Sequence, residues 1–342
     1  MKKILVTGGL GFIGSHTVVE LQNEGYDVVI IDDLSNSSID VMEGITAITG
    51  KSPIFEKIDL KEKTSVESFF QKHNDISGVI HFAASKAVGE SVENPLLYYE
   101  NNLNTLIYML KEVLNLNTSN FIFSSSCTVY GQADEMPITE NAPVKPAESP
   151  YGNTKQIGEE IIKDTCKVND NLNAIALRYF NPIGAHPSTK IGELPIGVPQ
   201  NLLPFITQTG AGLRECLSVF GNDYETVDGT CIRDYIHVVD LAKAHVVALE
   251  RLLENKNQSN FETFNVGTGV GSSVLEVIQS FEKVSGQTLN YKIAPRREGD
   301  VVKAYANTKK ANTVLGWEAK STLDDATLSA WKWEKTIRNL KD

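Results

Sequence analysis

Lys3-Ile4-Leu5-Val6-Thr7-Gly8-Gly9-Leu10-Gly11-Phe12-Ile13-Gly14 decides the architecture of this chain. The first five residues are a short apolar run with β-branched members, the composition of a buried parallel strand. The glycines at 8, 11 and 14 follow at once, as G-x-x-G-x-x-G. That spacing lets the backbone turn sharply, approach a pyrophosphate closely and start a helix whose first amides face the anion. Ile13, Val18, Val19 and Leu21 give the helix its apolar face.

Outward from this unit, Tyr26-Asp27-Val28-Val29-Ile30-Ile31 reads as a second strand ending at Asp32-Asp33. Asp32 lies 18 residues beyond Gly14, where an acidic residue accepts hydrogen bonds from the adenosine ribose hydroxyls. It would repel a 2′-phosphate, and no Arg stands at 33–36 to attract one, so NAD is expected over NADP. A third strand at 54–58 ends at Asp59, a candidate for the adenine amino group. A fourth at 79–82 runs into Ala83-Ala84, where small residues let the chain pass close to a cofactor.

Strands alternate with helices up to Leu177-Arg178-Tyr179-Phe180, the pattern of a doubly wound parallel α/β sheet of Rossmann type. Beyond Asn181-Pro182-Ile183-Gly184 the alternation breaks, residues 184–200 read as loops, and a helix is expected at Leu323–Arg338. We therefore expect a cofactor-binding domain over 1–182. A smaller, irregular α/β substrate domain over 183–342 would fold over its mouth, with some interleaving of the two. Gly267-Thr268-Gly269-Val270-Gly271 imitates a second phosphate loop, but no further β-α-β unit with a strand-end acid follows. It reads as a tight turn entering a helix near Ser273.

A length of 342 residues suits one large or two closely joined domains. The 41% hydrophobic and 22% charged residues are ordinary for a globular protein. With 32 Lys and Arg against 43 Asp and Glu the net charge is −11, and no basic stripe suggests nucleic acid. No apolar stretch is long enough for a membrane span, and the first strand follows Met1-Lys2 with no room for a signal peptide. Cys127, Cys166, Cys216 and Cys231 have neither paired nor metal spacing, so reduced thiols, a cytoplasmic location and no bound metal are expected. His237 and His245 flank a helix start and read as packing or surface residues.

Tyr151 and Lys155 stand four residues apart, on one face of a helix that Ser149 caps and Pro150 opens. A phenol beside an ammonium is expected to ionise early, because the positive charge favours phenolate. Such a phenolate can take a proton from a sugar hydroxyl. Ser126 ends the apolar run Phe121-Ile122-Phe123, 25 residues before Tyr151.

T-G-G-L-G-F-I-G at 7–14, S-S-S-C-T-V-Y-G at 124–131, Y-G-N-T-K at 151–155 and R-Y-F-N-P-I-G-A at 178–185 resemble the extended short-chain dehydrogenase/reductase family. F-G-N-D-Y at 220–224, D-G-T-C-I-R-D-Y-I-H at 228–237 and A-P-R-R-E-G-D at 294–300 resemble its UDP-sugar epimerase branch. The resemblance covers nearly the whole chain. It implies NAD-dependent inversion at C4 of UDP-hexoses through a transient 4-keto sugar, by a homodimer. Tyr151 would act as general base and then general acid. Lys155 would hold the nicotinamide ribose and lower the Tyr151 pKa, and Ser126 would bind the reacting 4-hydroxyl.

By the same resemblance Gly8, Gly11, Phe12, Ile13, Gly14 and Asp32 would bind the cofactor. Asn36, Asp59, Leu60, Phe82, Ala83 and Ala84 would join them, as would Lys86, Asn101, Ser124 and Tyr179. Arg233 and Arg297 would clamp the diphosphate, Asp300 the uridine ribose, and Asn181, Asn201, Leu202 and Phe220 would line the UDP and sugar. Lys86 would also reach the substrate. Ala304 stands four residues beyond Asp300, where family members restricted to simple hexoses often carry Tyr. A methyl group there leaves room for a 2-acetamido group, so UDP-GlcNAc and UDP-GalNAc are expected substrates beside UDP-Glc and UDP-Gal.

Other readings stay open at this point. A 4,6-dehydratase would resemble its family in an Asp-Glu pair after the strand-end hydroxyl, where this chain has Cys127-Thr128. A uronic-acid epimerase or decarboxylase would want an extra cation, for which Lys86 is available. A non-catalytic NAD sensor would not need Ser126, Tyr151, Lys155 and both arginines.

Overall fold

The computed structural model describes residues 2–116, 119–297 and 300–340. Strand β1 (Lys3–Thr7) leads through the glycine turn to helix α1 (Phe12–Asn23), and β2 (Asp27–Asp32) returns parallel to β1. Helix α2 (Val41–Thr49) precedes β3 (Ile54–Lys57), and α3 (Lys63–Lys72) precedes β4 (Ile76–His81). Helices α4 (Val88–Glu93) and α5 (Pro95–Val113) lead to β5 (Ser119–Ser126) and a 3-10 turn at Cys127–Tyr130. Helix α6 (Pro150–Val168) and strand β6 (Leu172–Tyr179) follow.

Beyond this point the elements shorten. They are β7 (Asn181–Ile183), α7 (Leu202–Gly210), β8 (Leu217–Phe220), β9 (Ile232–His237) and α8 (Val238–Leu253). Then come β10 (Phe261–Val266), β11 (Gly271–Ser273), α9 (Val274–Ser285), β12 (Tyr291–Ala294), β13 (Lys303–Ala304) and α10 (Leu323–Arg338).

Seven parallel strands form the main sheet in the order β10-β6-β5-β4-β1-β2-β3. Each strand sends alternate side chains to opposite faces, and both faces are covered by helices. Ile4 and Val6 join Val28, Ile30 and Leu249 in one core cluster, while Leu5 joins Val29, Ile31, Phe70 and Ile162 in the other. The winding reverses between β1 and β4, and a sheet of this kind opens its ligand crevice at the carboxyl ends of the strands there.

The seventh strand of the sheet, β10, and its covering helix α8 come from beyond residue 183, so the two parts of the chain interleave. The remaining C-terminal elements surround a third core that includes Ile206, Val219, Tyr235, Phe281 and Trp331. A small sheet with β9 at its centre carries β7, β11 and β13 on its edges. It joins the two parts directly, because β7 leaves the end of β6 and pairs with β9.

The Gly267–Gly271 segment is a turn that leads through the short strand β11 into helix α9. The backbone amides of Thr268 and Gly269 do face a carboxylate, but it is the chain's own Asp234, which also accepts from the Thr268 hydroxyl and the Ala306 amide. Ser273 then caps α9 in a reciprocal box with Glu276. His245 is fully buried, and His237 caps α8 by accepting from the Val239 amide at 3.1 Å.

Candidate active site

The glycine turn is shaped for close approach. Gly8 has φ +66°, and a Cβ there would lie 3.0 Å from the Ala83 amide nitrogen at the end of β4. A Cβ on Gly14 would overlap the Gly8 carbonyl oxygen. Gly11 caps α1 with no side chain over the helix end, so the first-turn amides of Phe12, Ile13 and Gly14 are free to meet an anion. Asp32 is 8% exposed, and its carboxylate is fixed by the Leu10 amide at 3.1 Å, the Leu34 amide at 3.0 Å and the Ser37 hydroxyl at 2.7 Å. Its remaining lone pairs suit a vicinal pair of hydroxyls. These features fit the adenosine and pyrophosphate of NAD.

The other expected cofactor residues differ in what they offer. Asn36 is exposed beyond the Asp32 turn, and Asp59 accepts from the Lys61 amide at 2.9 Å. The Leu60 side chain is buried in the core, so only its backbone can face a ligand. Phe82, Ala83 and Ala84 line the edge beyond β4, and the Thr7 hydroxyl fixes the Ala83 amide at 3.3 Å while bonding His81 at 2.8 Å. Asn101 donates to the Ser85 hydroxyl at 2.8 Å. Ser124 and Tyr179 hydrogen-bond each other.

Helix α6 carries Tyr151, Lys155 and Glu159 at intervals of four along one face. Ser149 caps the helix by accepting from the Gly152 amide at 3.2 Å. Lower down, Glu159 forms a buried ion pair with Arg178 of β6 at 2.6 Å and accepts from Ser125 of β5. Asn102 of α5 ties the upper part to the loop before α4, donating to the Thr154 hydroxyl and the Ser85 carbonyl, both at 3.0 Å. Tyr151 and Lys155 are therefore held from above and below.

Lys155 is 4% exposed, and its Nζ donates to the Ser124 carbonyl at 2.6 Å. It lies 5.0 Å from the Phe123 ring centroid and 5.8 Å from that of Tyr151. Burial brings its pKa down to about 8, against an upward pull from Glu159. The expected early ionisation of Tyr151 is not what the chain by itself produces. Burial pushes the phenol well above its ordinary value and the neighbouring Tyr179 adds to the rise, while the adjacent Ser126 hydroxyl opposes it. Helical spacing puts the ammonium on the right face, but the low dielectric that makes the site also disfavours phenolate.

Across the crevice the small sheet sets the expected substrate residues side by side. Its register pairs Asn181 with Tyr235 and Ala304 with Arg233. Arg233 reaches Asp300 at 3.4 Å, and Arg297 reaches the other oxygen of the same carboxylate at 3.3 Å. The Arg297 guanidinium also sits 4.8 Å from the Phe220 ring centroid. Ala304 is 9% exposed and packs in a cluster with Val129, Tyr130 and Phe180. Asn201, at the start of α7 beside Leu202, donates to Glu193 at 2.6 Å.

Several groups at the site were not singled out in the sequence. The Tyr235 side chain is buried near Arg233, Arg297 and Asp300, and its place in the Arg-Asp-Tyr run could have drawn attention to it. Cys127, next to Ser126, feels both Tyr151 and Arg233, and burial raises its thiol to about 11. Glu193 bonds Asn201 and is drawn toward Lys86, while burial raises its pKa. Only the fold reveals that last convergence. Among the described residues no group of three or more His, Cys, Asp or Glu could hold a metal, and no helix is long and apolar enough to cross a membrane.

A doubly wound sheet with a Tyr-x-x-x-Lys helix beside its glycine turn defines the extended short-chain dehydrogenase/reductase class. A family model described as GDP-mannose 4,6 dehydratase matches residues 5–328. The UDP-glucose 4-epimerase of Bacillus subtilis (strain 168) is 49% identical over 336 residues, covering 98% of each chain. A crystal structure of UDP-glucose-4-epimerase from Stenotrophomonas maltophila, with bound NAD and formylated UDP-arabinopyranose, superposes with TM-score 0.95 at 44% identity, covering 99% of each chain. The UDP-Glc/GlcNAc 4-epimerase of Campylobacter jejuni gives TM-score 0.84 at 36% identity, covering 98% of this chain and 100% of that one. The chain belongs to the UDP-glucose 4-epimerase family.

Proposed function

We propose that the protein interconverts UDP-glucose and UDP-galactose by reversible inversion at C4. The observation that carries this reading is the convergence of Ser126, Tyr151 and Lys155 between a cofactor crevice and an arginine pair. Cys127 marks the junction, since it acts electrostatically on Tyr151 and feels the charge of Arg233. The glycine turn and Asp32 would hold NAD, which would supply the hydride acceptor and donor for inversion through a transient 4-keto sugar and whose charged ring would favour phenolate. Tyr151 takes the O4 proton and later gives it back. A group that must serve as base and then acid works best with a pKa near the operating pH. The upward push of burial on Tyr151 is thus balanced by the Lys155 ammonium and the cofactor. Ser126 holds O4 in line with Tyr151, and Lys155 holds the nicotinamide ribose.

The sugar must turn over between the two transfers while the nucleotide stays fixed. Arg233 and Arg297 suit that anchor, because guanidinium groups match phosphate oxygens in geometry and charge. Asn181, Asn201 and Lys86 offer hydrogen bonds to the turning sugar. A 4,6-dehydratase needs an acid and a base for elimination next to the reacting carbon. The 3-10 turn after Ser126 offers Cys127 and Thr128 there, and no carboxylate.

We further infer activity on UDP-GlcNAc and UDP-GalNAc. Ala304 presents only a methyl group beside Arg233, and the similarity to the dual-specificity Campylobacter jejuni enzyme agrees with that room. A cytoplasmic homodimer completes the reading. Leu96, at 79% exposure, Val92, at 62%, and Val168, at 80%, leave apolar surface on α4, α5 and α6 for a second copy to cover. Leu106 and Leu110 of α5 pack in the core beneath the main sheet, so they take no part in such a surface.

The test is to mix purified protein with UDP-glucose and UDP-GlcNAc, adding no nicotinamide, and to follow the anomeric protons by NMR. Both UDP-galactose and UDP-GalNAc are expected. UDP-galactose alone would reject the role given to Ala304. Neither product, even after NAD is supplied, would sink the epimerase reading.

A further inference from the structure

Tyr224 has a hydroxyl without a partner among the described residues. The residue is 5% exposed, and its oxygen is buried without any hydrogen bond among the described residues. The ring itself is firmly seated. Gly221, at φ +77°, passes so close that a Cβ there would overlap the Tyr224 ring and lie 2.9 Å from Arg296. The Arg296 guanidinium lies 4.0 Å from the ring centroid and is fixed in turn by Asp223 at 2.7 Å. The Tyr224 amide donates to the Gly229 carbonyl at 2.9 Å. Phenylalanine would fill this seat equally well. A buried hydroxyl with nothing to bond destabilises the free protein, so its presence needs a second reason.

The surroundings supply one. The ring packs against Gly221 and Arg296, the chain neighbours of Phe220 and Arg297, and the charged and titratable groups that act on it are Asp300, Cys231, Arg296 and Arg233. Two of these, Asp300 and Arg233, belong to the Arg233–Asp300–Arg297 cluster that we read as the nucleotide anchor. Both arginines are engaged with Asp300, so a phosphate must take them over from it. Phosphate oxygens and the freed carboxylate can only accept hydrogen bonds, and the phenol is a donor already in place.

We propose that the Tyr224 hydroxyl is a further ligand of the nucleotide sugar, donating a hydrogen bond to an oxygen of its ribosyl-diphosphate portion. This rests on the reading of Arg233, Arg297 and Asp300 as the nucleotide anchor. It adds a polar contact to a wall otherwise described by two arginines and an aspartate. Because the bond is to the part of the substrate that does not react, it stabilises ground state and transition state alike and appears in KM rather than kcat.

The test compares wild type with Tyr224→Phe, both carrying NAD. UDP binding is measured by calorimetry, thermal unfolding without UDP, and KM and kcat for UDP-glucose. Tyr224→Phe is expected to weaken UDP by about tenfold or more, the range for a hydrogen bond to a charged group. KM should rise by a similar factor with kcat within about twofold of wild type. The UDP-free variant should melt at or above the wild-type temperature, since an orphan hydroxyl has gone. UDP affinity unchanged by Tyr224→Phe would overturn the proposal, and so would a variant that melts well below wild type, because the hydroxyl would then have a partner in the free protein. Wild-type protein that binds no UDP would remove the nucleotide anchor itself, and this proposal with it.

Discussion

The two walls of the proposed site are built in different ways. The cofactor wall, from the β1 glycine turn to Ala83, is mostly backbone. Its glycines remove side chains where the chain closes on itself, and Asp32 is already fixed by three donors. The substrate wall is mostly side chains that hold one another, with Asp300 joining Arg233 to Arg297 and Arg297 lying against Phe220. A backbone site is preorganised by folding itself. A site of mutually paired side chains must exchange partners when its ligand arrives. The division would suit the proposed exchange of a nucleotide sugar over a retained cofactor.

The sharpest way to break the comparison is at the cofactor wall. Gly14→Ala places a methyl group onto the Gly8 carbonyl, backbone against backbone, where little can yield. We expect a loss of stability of about 1–3 kcal/mol and no NAD retained through purification, measured by unfolding and by absorbance of the released nucleotide. Next, Tyr151→Phe should lower kcat by about 10²–10⁴-fold while NAD and UDP affinities stay near wild type, because it removes proton transfer from both walls' common product.

On the substrate wall, Arg297→Ala should weaken UDP by about 1.5–3 kcal/mol in calorimetry and leave NAD content unchanged. Equal loss of NAD would show that the walls are not independent. A smaller effect is expected where they meet. Glu193→Gln keeps the shape around Asn201 but removes the charge facing Lys86, and should raise KM by a few-fold with kcat nearly kept.

Lys155 gives a pH signature. Its folded-state pKa is about 8, below the ordinary 10.5. Between those values the unfolded chain binds more protons, so this group makes the ligand-free protein more stable as pH rises through that window. The penalty is present below pH 8 and fades above it. Thermal melts of wild type against Lys155→Met should show the rise only in wild type.

Legibility in the sequence followed the same division. The first β-α-β unit with its glycine turn could be read because its parts are contiguous. A strand, three glycines, a helix and a strand-end Asp within 32 residues leave few alternatives. The Tyr151–Lys155 pair could be placed on one helical face, but the upward push of burial on the Tyr151 phenol in the cofactor-free chain could not be read, because spacing reveals a neighbouring charge and does not reveal desolvation. The substrate wall was legible only through resemblance. Its strands β7, β11 and β13 span two or three residues, too short for any hydrophobic period, and β9 gathers them from distant parts of the chain. Convergences such as Glu193 with Asn201 and Lys86, or Tyr224 beneath Arg296, exist only after folding. The return of β10 to the main sheet was hidden for the same reason: an apolar run shows that it is a strand, and does not show which sheet it joins.

Hydrogen–deuterium exchange of the NAD-loaded protein, with and without UDP, tests the division most directly. The account predicts that UDP adds protection at 217–235, 291–297 and 300–304 and leaves 3–14 and 27–37 unchanged, since the cofactor wall is complete before substrate arrives. Protection that spreads equally into the glycine turn, or that fails to appear on the substrate wall, would contradict it.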